Sequence, residues 1–281
     1  MQVSSVSVRR VVLCADDFAL HAQASLGIAA LARRARLSAT SVMVLSPRWA
    51  QDAALLKDLP QAIDVGLHLD WTSAFAVACG HGMSLGAAMR KAVLGGFGRG
   101  AAAQATRAVI ERQLDAFEAR WKAPPDHVDG HQHVQQFAGI REALVRALHD
   151  RYGGPHRRLP YLRISRAPTG HADLKSRVIA AMGAPALEQA ARGAGLPVSA
   201  ALLGIYDFSG DQARYGALME GWLCAAPQLS IIMCHPAQGA GDEDAIAAAR
   251  VREFEHLGSA AFAAALERSG VQLVRGQVAG R

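Results

Sequence analysis

The stretch VVLCADDF, residues 11–18, sets five apolar or small residues directly before two carboxylates. A short apolar run bounded by polar residues reads as a buried strand, so Asp16 and Asp17 fall at its C-terminal end. Adjacent acids are common at helix N-termini, where they cap free N–H groups. Behind a buried strand they carry a second meaning. An unpaired buried carboxylate is costly, and a metal ion or a cationic partner removes that cost.

After this strand, Ala24, Ile28, Leu31 and Ala35 recur at helical spacing. ATSVMVLS (39–46) and AIDVGLHL (62–69) read as the next two strands, with a short helix between them that ends by Pro60. Residues 71–104, rich in Gly and Ala, form a long excursion. The helix that follows carries Ile110, Leu114, Phe117 and Trp121 on one stripe and ends before Pro124 and Pro125. DHVDGH is the fourth strand, YLRIS (161–165) the fifth, ALLGIY (201–206) the sixth and LSIIMC (229–234) the seventh. VQLV (271–274) is a possible eighth. The helices between them carry Ile140, Leu144 and Ala147; then Leu174, Val178 and Ala181; then Tyr215, Leu218 and Trp222; and a last helix spans about 245–266. Seven or eight βα units without a linker or repeat predict one α/β domain over 1–281. A closed or nearly closed (β/α) barrel is favoured over a doubly wound sheet.

Hydrophobic residues make up 51% of the 281 residues, which suits a packed globule rather than a disordered chain. No apolar run approaches the length of a membrane span. Arg9 and Arg10 are followed only by VVLCA before the acids, too short for a signal-peptide core, so a cytoplasmic location is expected. Cys14, Cys79, Cys224 and Cys234 lack metal-ligand spacing and read as buried free thiols. The net charge of +6 comes from scattered, mostly arginine side chains with no basic block interleaved with aromatics, which argues against a nucleic-acid partner.

Polar residues gather at one end of the strands. Asp16 and Asp17 end the first, His68 lies near the end of the third, HVDGHQH (127–133) ends the fourth, Arg163 lies in the fifth and His235 ends the seventh. In a (β/α) barrel the C-terminal ends of all strands open on one face, where active sites form. His68, flanked by Leu67 and Leu69, also fits a hydrogen-bonded core histidine. His131 and His133, two apart on a strand, have chelating spacing, although Asp129-Gly130 could instead make a turn. His127 is expected to be structural. His21, His81, His149, His156, His171 and His256 are expected to be solvated. A carboxylate with two imidazoles leaves coordination positions open for water and substrate. A second carboxylate can take the proton of that water, and His235 is a spare acid. Such parts describe metal-assisted hydrolysis of an amide.

ADDF, GLHL, HVDGHQHV, YLRISR, GIYDF and IMCHP, in that order, resemble the YdjC/ChbG-type carbohydrate deacetylase family over about residues 10–240. The resemblance implies a (β/α)-barrel-like fold and removal of acetyl groups from N-acetylated sugars with a divalent metal. Asp17, His68 and His131 match the family's metal ligands, Asp16 its base and His235 its acid. Arg163 stands where an arginine could steer the base, and Asp129 and His133 where partners could orient the ligands. Two positions depart from the pattern, Ala19 after ADDF and Gln135 after the HQH histidines, so the sugar is open. The family implies magnesium, whereas two imidazoles favour zinc or another transition ion. Trp71 could wall a sugar ring or pack in the core. A small carbohydrate is the expected substrate, and a homodimer is possible. A hydrolase of a non-sugar amide or ester, and a carbohydrate-binding protein without catalysis, are the rival readings.

Overall fold

The structure, a computed structural model, describes residues 8–154, 158–241 and 244–276. The elements run β1 (Arg9–Phe18), α1 (Ala22–Arg33), β2 (Ala39–Val42), α2 (Trp49–Lys57), β3 (Asp64–Leu69), α3 (Ala74–Ala78), α4 (Leu85–Val93) and α5 (Gly100–Trp121). Then come β4 (His127–Gly130), a 3-10 turn (His131–Gln136), α6 (Ile140–Tyr152), β5 (Tyr161–Leu162), α7 (Leu174–Ala181), α8 (Ala184–Gly193) and β6 (Leu202–Leu203). The chain continues through α9 (Gln212–Ala225), β7 (Ile231–Cys234), α10 (Ala247–Gly258), α11 (Ala260–Ser269) and β8 (Val271–Leu273).

The strands form one parallel sheet in the order β5-β4-β3-β2-β1-β7-β6, with β8 against the start of β1. No strand order reverses at a central switch point, as a doubly wound sheet requires. The sheet curls into a barrel-like half-circle, with one isolated parallel bridge from Leu162 of β5 to Val198, in the segment before β6. Burial drives this arrangement. Val11 through Ala15 are 1% exposed or less, as a strand covered on both faces demands. Ile110, Leu114 and Phe117 of α5 are fully buried, and Trp49 of α2 stacks on Phe117 with centroids 5.9 Å apart. Gly27 lets α1 press on the segment after β7, because a Cβ there would stand 2.6 Å from the Gln238 nitrogen.

Several elements differ from the sequence reading. The fifth and sixth strands shrink to two residues each. The proposed last helix breaks at Ser259, whose side chain caps α11. Leu174 and Val178 of α7 are 77% and 53% exposed, so that apolar stripe faces outward while Ser176 and Ile179 face in. Cys14 and Cys234 are buried, but Cys79 and Cys224 are exposed, because they sit at the end of α3 and near the end of α9 with nothing packed over them. His256 is buried, its ring against Tyr215 and Phe262, and His81 and His21 are half-buried. His156 lies outside the described residues. Among the described residues no helix is long and apolar enough to cross a membrane.

Candidate metal centre

Asp16 and Asp17 occupy a β-bulge. Cys14 and Ala15 pair with Ala39 and Thr40 of β2, but Phe18 pairs with Val42, so one residue is extra. Asp17 takes up the irregularity at φ 65°, a left-handed conformation costly for a non-glycine residue. Bulges re-aim side chains next to active sites. Here both carboxylates enter one buried space and meet different partners.

Arg163, immediately after β5 and fully buried, donates to both oxygens of Asp16 at 2.7 and 2.8 Å. Its Nη1 is also 2.9 Å from Asp129 Oδ2. His235 follows β7 and places Nε2 3.9 Å from Asp16 Oδ2, with the Phe208 ring edge-on to it at 5.3 Å. Asp17 Oδ2 accepts from Arg250 Nη2 of α10 at 2.7 Å. Asp17 Oδ1 has no hydrogen-bond partner among the described residues, although His68 Nε2 stands 3.3 Å away.

The β3–β4 register places His68 beside Asp129, and His68 Nδ1 lies 2.6 Å from Asp129 Oδ1. An imidazole anchored through Nδ1 to a carboxylate presents Nε2 to a cation, as metal-bound histidines usually do. His131 leaves the strand. Its Nδ1 lies 2.8 Å from Thr72 Oγ1, and its ring stands edge-on to His68 with centroids 5.9 Å apart. The HQH segment is a 3-10 turn rather than a strand, with Gln132 and His133 both left-handed. His131 and His133 therefore do not share a strand face. His133 Nδ1 pairs instead with Ser165 Oγ at 3.0 Å. His127 sits deeper, fully buried and stacked on Tyr161 at 5.1 Å, with Nε2 3.1 Å from Ser41 Oγ. Trp71 is 2% exposed, packed edge-on to Phe97 and His81, and offers no open face for a sugar ring.

The electrostatics follow the contacts. Burial would raise the Asp17 carboxyl, but the Arg250 charge and then His68 hold it well below the usual carboxylate range. Burial would lower His68, but the Asp129 carboxylate, its hydrogen bond and the Asp16 charge push it up to about 10. Burial lowers His131, and it drives His133 well down with help from the Arg163 charge. Lowered by burial, His131 is favoured as a neutral imidazole, the form that binds a metal, whereas His68 must give up a proton to do so.

Among the described residues, two donor sets come close enough to hold an ion. Donor atoms of Cys14, His127 and Asp129 lie within 4.8 Å of one another, as do those of Asp16, His68 and Asp129. In both sets Asp129 is already paired with Arg163, and in the second both Asp16 oxygens are taken by the same guanidinium. Ser41 further occupies His127 and Asp129 in the first. Asp17 and His68 offer a different pairing beside the His131 ring, because Asp17 Oδ1 is unpartnered, His68 Nε2 stands 3.3 Å from it and the His68 ring is anchored from behind. One oxygen and two nitrogens suit zinc or another borderline divalent ion better than magnesium. The donor atoms of Asp17, His68 and His131 do not form a third set within 4.8 Å of one another, so their sharing one ion is part of the functional proposal.

Arg250 and Glu253 escaped the sequence reading. Both lie on α10, about 230 residues from Asp17, and are buried. Glu253 Oε2 accepts the His235 main-chain N–H at 2.5 Å, and Oε1 accepts from Tyr206 at 2.7 Å. The available signal was a charged pair three apart on the face that also carries Ala249 and Leu257, where apolar residues belong.

The family model described as YdjC-like protein matches residues 10–268. A chitooligosaccharide deacetylase of Proteus mirabilis (strain HI4320) is 30% identical over 137 residues, 46% of this chain. That match spans only 51% of the relative's own length. A crystal structure from Enterococcus faecalis V583, described as a candidate cellobiose-phosphate cleavage protein, superposes with a TM-score of 0.68. It covers 97% of this chain and 99% of that one at 17% identity, a likeness of fold alone.

Proposed function

Because the chain belongs to the YdjC-like protein family, we propose that it is a metal-dependent hydrolase that removes the acetyl group from an N-acetylated amino sugar or oligosaccharide. The reading is supported above all by one arrangement. A carboxylate oxygen without a hydrogen bond faces an anchored imidazole at Asp17 and His68, while the adjacent Asp16 is oriented by Arg163 toward His235. The deacetylase relative supports the choice of an acetylated sugar.

In this reading Asp17, His68 and His131 hold the divalent ion. A divalent ion held there would polarise the acetyl carbonyl and acidify a water. Asp16 takes the proton of the attacking water, and Arg163 keeps both of its oxygens in place through paired hydrogen bonds. The water oxygen bonds to the carbonyl carbon as the C–N bond breaks. His235, on the Asp16 side of the pocket, gives a proton to the departing amine, leaving acetate and a free amino sugar. Asp129 and Ser165 act indirectly, by fixing His68 and His133.

The test is acetate release by the metal-loaded protein from N-acetylated oligosaccharides, their phosphorylated forms and simple acetamides. Asp16→Asn is expected to lower turnover by about 10²–10⁴-fold. Undiminished turnover in that variant removes Asp16 from the mechanism, and turnover only on the simple acetamides removes the sugar.

A further inference from the structure

Arg250 has no part in the chemistry above, yet it is the cation that lies nearest to a proposed metal ligand. It is 3% exposed, and it donates from Nη2 to Asp17 Oδ2 at 2.7 Å and from Nε to Asp244 Oδ2 at 2.7 Å. Asp244 Oδ2 is in turn 3.3 Å from Nε2 of His21, whose Nδ1 caps α1. Arg250 Nη1 reaches the His235 carbonyl at 3.5 Å, and its own carbonyl accepts the Ala237 N–H at 3.1 Å. One guanidinium thus ties the Asp17 bulge to the turn that carries His235.

Two consequences follow from elementary electrostatics. With Oδ2 committed to Arg250, Asp17 has only Oδ1 to offer, so it binds a cation through one oxygen. The fixed positive charge also competes with that cation for the same carboxylate. Asp244 offsets part of the Arg250 charge, because its side chain is only 7% exposed and accepts from Nε of the same guanidinium.

We propose that Arg250 is a positioning residue that fixes Asp17 as a single-oxygen donor and loosens the site's hold on its divalent cation, with Asp244 setting how much of that charge Asp17 meets. A weakly charge-compensated ion is the stronger Lewis acid, so loosening the hold sharpens the chemistry. The proposal rests on Asp17 being a metal ligand, and its test separates the two claims.

The experiment titrates the full, chelator-treated chain with Mn²⁺ and reads free Mn²⁺ by electron paramagnetic resonance, with thermal melts to show that each variant folds. Arg250→Met is expected to bind Mn²⁺ about tenfold tighter or more, since it removes a unit charge from the low-dielectric neighbourhood of the ion. Acetate release is expected to fall in the same variant. Asp244→Asn is expected to bind about threefold weaker or worse, since it leaves the Arg250 charge less compensated. Opposite signs are the signature, because a merely structural role would loosen binding in both. Arg250→Gln replaces the methionine variant if that one does not fold. Wild type that binds, with the Arg250 variant equal or weaker, overturns this proposal alone. Wild type that takes up no Mn²⁺ overturns the metal-site reading and this proposal with it.

Discussion

Replacing Arg163 by methionine probes the buried charge balance at its centre. Arg163 is fully buried and pairs with Asp16 through two hydrogen bonds and with Asp129 at 2.9 Å. Methionine keeps much of the volume but strands two carboxylates that are 2% and 0% exposed. Breaking a buried pair by removing one partner costs about 3–5 kcal/mol. In a chain of this size that lowers the melting temperature by about 6–20 °C. The loss depends on pH. Burial would raise the Asp129 carboxyl, but Arg163 and then His68 hold it well below the usual range. A carboxylate depressed in this way contributes stability that is present above its unfolded value and lost as pH falls through its folded value. Without Arg163 the folded value of Asp129 rises, so mild acid protonates that stranded carboxylate and removes its penalty. The gap between wild type and variant is therefore widest at about pH 7.5 and narrows toward about pH 4.5. Thermal melts of the chelated proteins at both pH values read this directly, and Asp129→Asn added to the variant should recover part of the loss. A variant destabilised by less than about 1 kcal/mol, or equally at both pH values, refutes the reasoning.

Two further outcomes are expected. With its imidazole pushed up to about 10, His68 in the metal-free chain is protonated at neutral pH, so cation uptake must expel that proton. Calorimetry in buffers of different ionisation enthalpy should show about one proton released, with affinity rising about tenfold per pH unit from 7 to 9; no buffer dependence would contradict it. Gly66→Ala should destabilise the chain by about 1–3 kcal/mol, since the new Cβ would lie 2.3 Å from the buried His127 ring. A neutral result in a denaturation series would show that the ring can move.

The parallel βα alternation was legible because buried strands such as Val11–Ala15 are continuously apolar, and because the polar residues recur at their C-terminal ends. The local geometry was not. HVDGHQH has strand periodicity on paper, but Gly130 packs so closely on Gln135 that a Cβ would stand 3.0 Å from the Gln135 nitrogen. The chain turns there instead, and His131 and His133 part company. Leu174 and Val178 form a helical stripe that faces solvent, so spacing alone does not tell which side of a helix is inside. Arg250 reaches Asp17 across 233 positions, a pairing created by β7 lying beside β1 in the sheet. The bulge at Asp16 and Asp17 likewise depends on the register with β2, which no single strand encodes.

The central claim is that Asp17, His68 and His131 share one divalent ion, and anomalous scattering from a zinc-soaked crystal tests it most directly. The expected result is a single peak about 2.0–2.2 Å from Asp17 Oδ1 and from one ring nitrogen each of His68 and His131. A peak held instead by Asp16, His68 and Asp129, or by Cys14, His127 and Asp129, would contradict the account, as would no peak beside Asp17 at all.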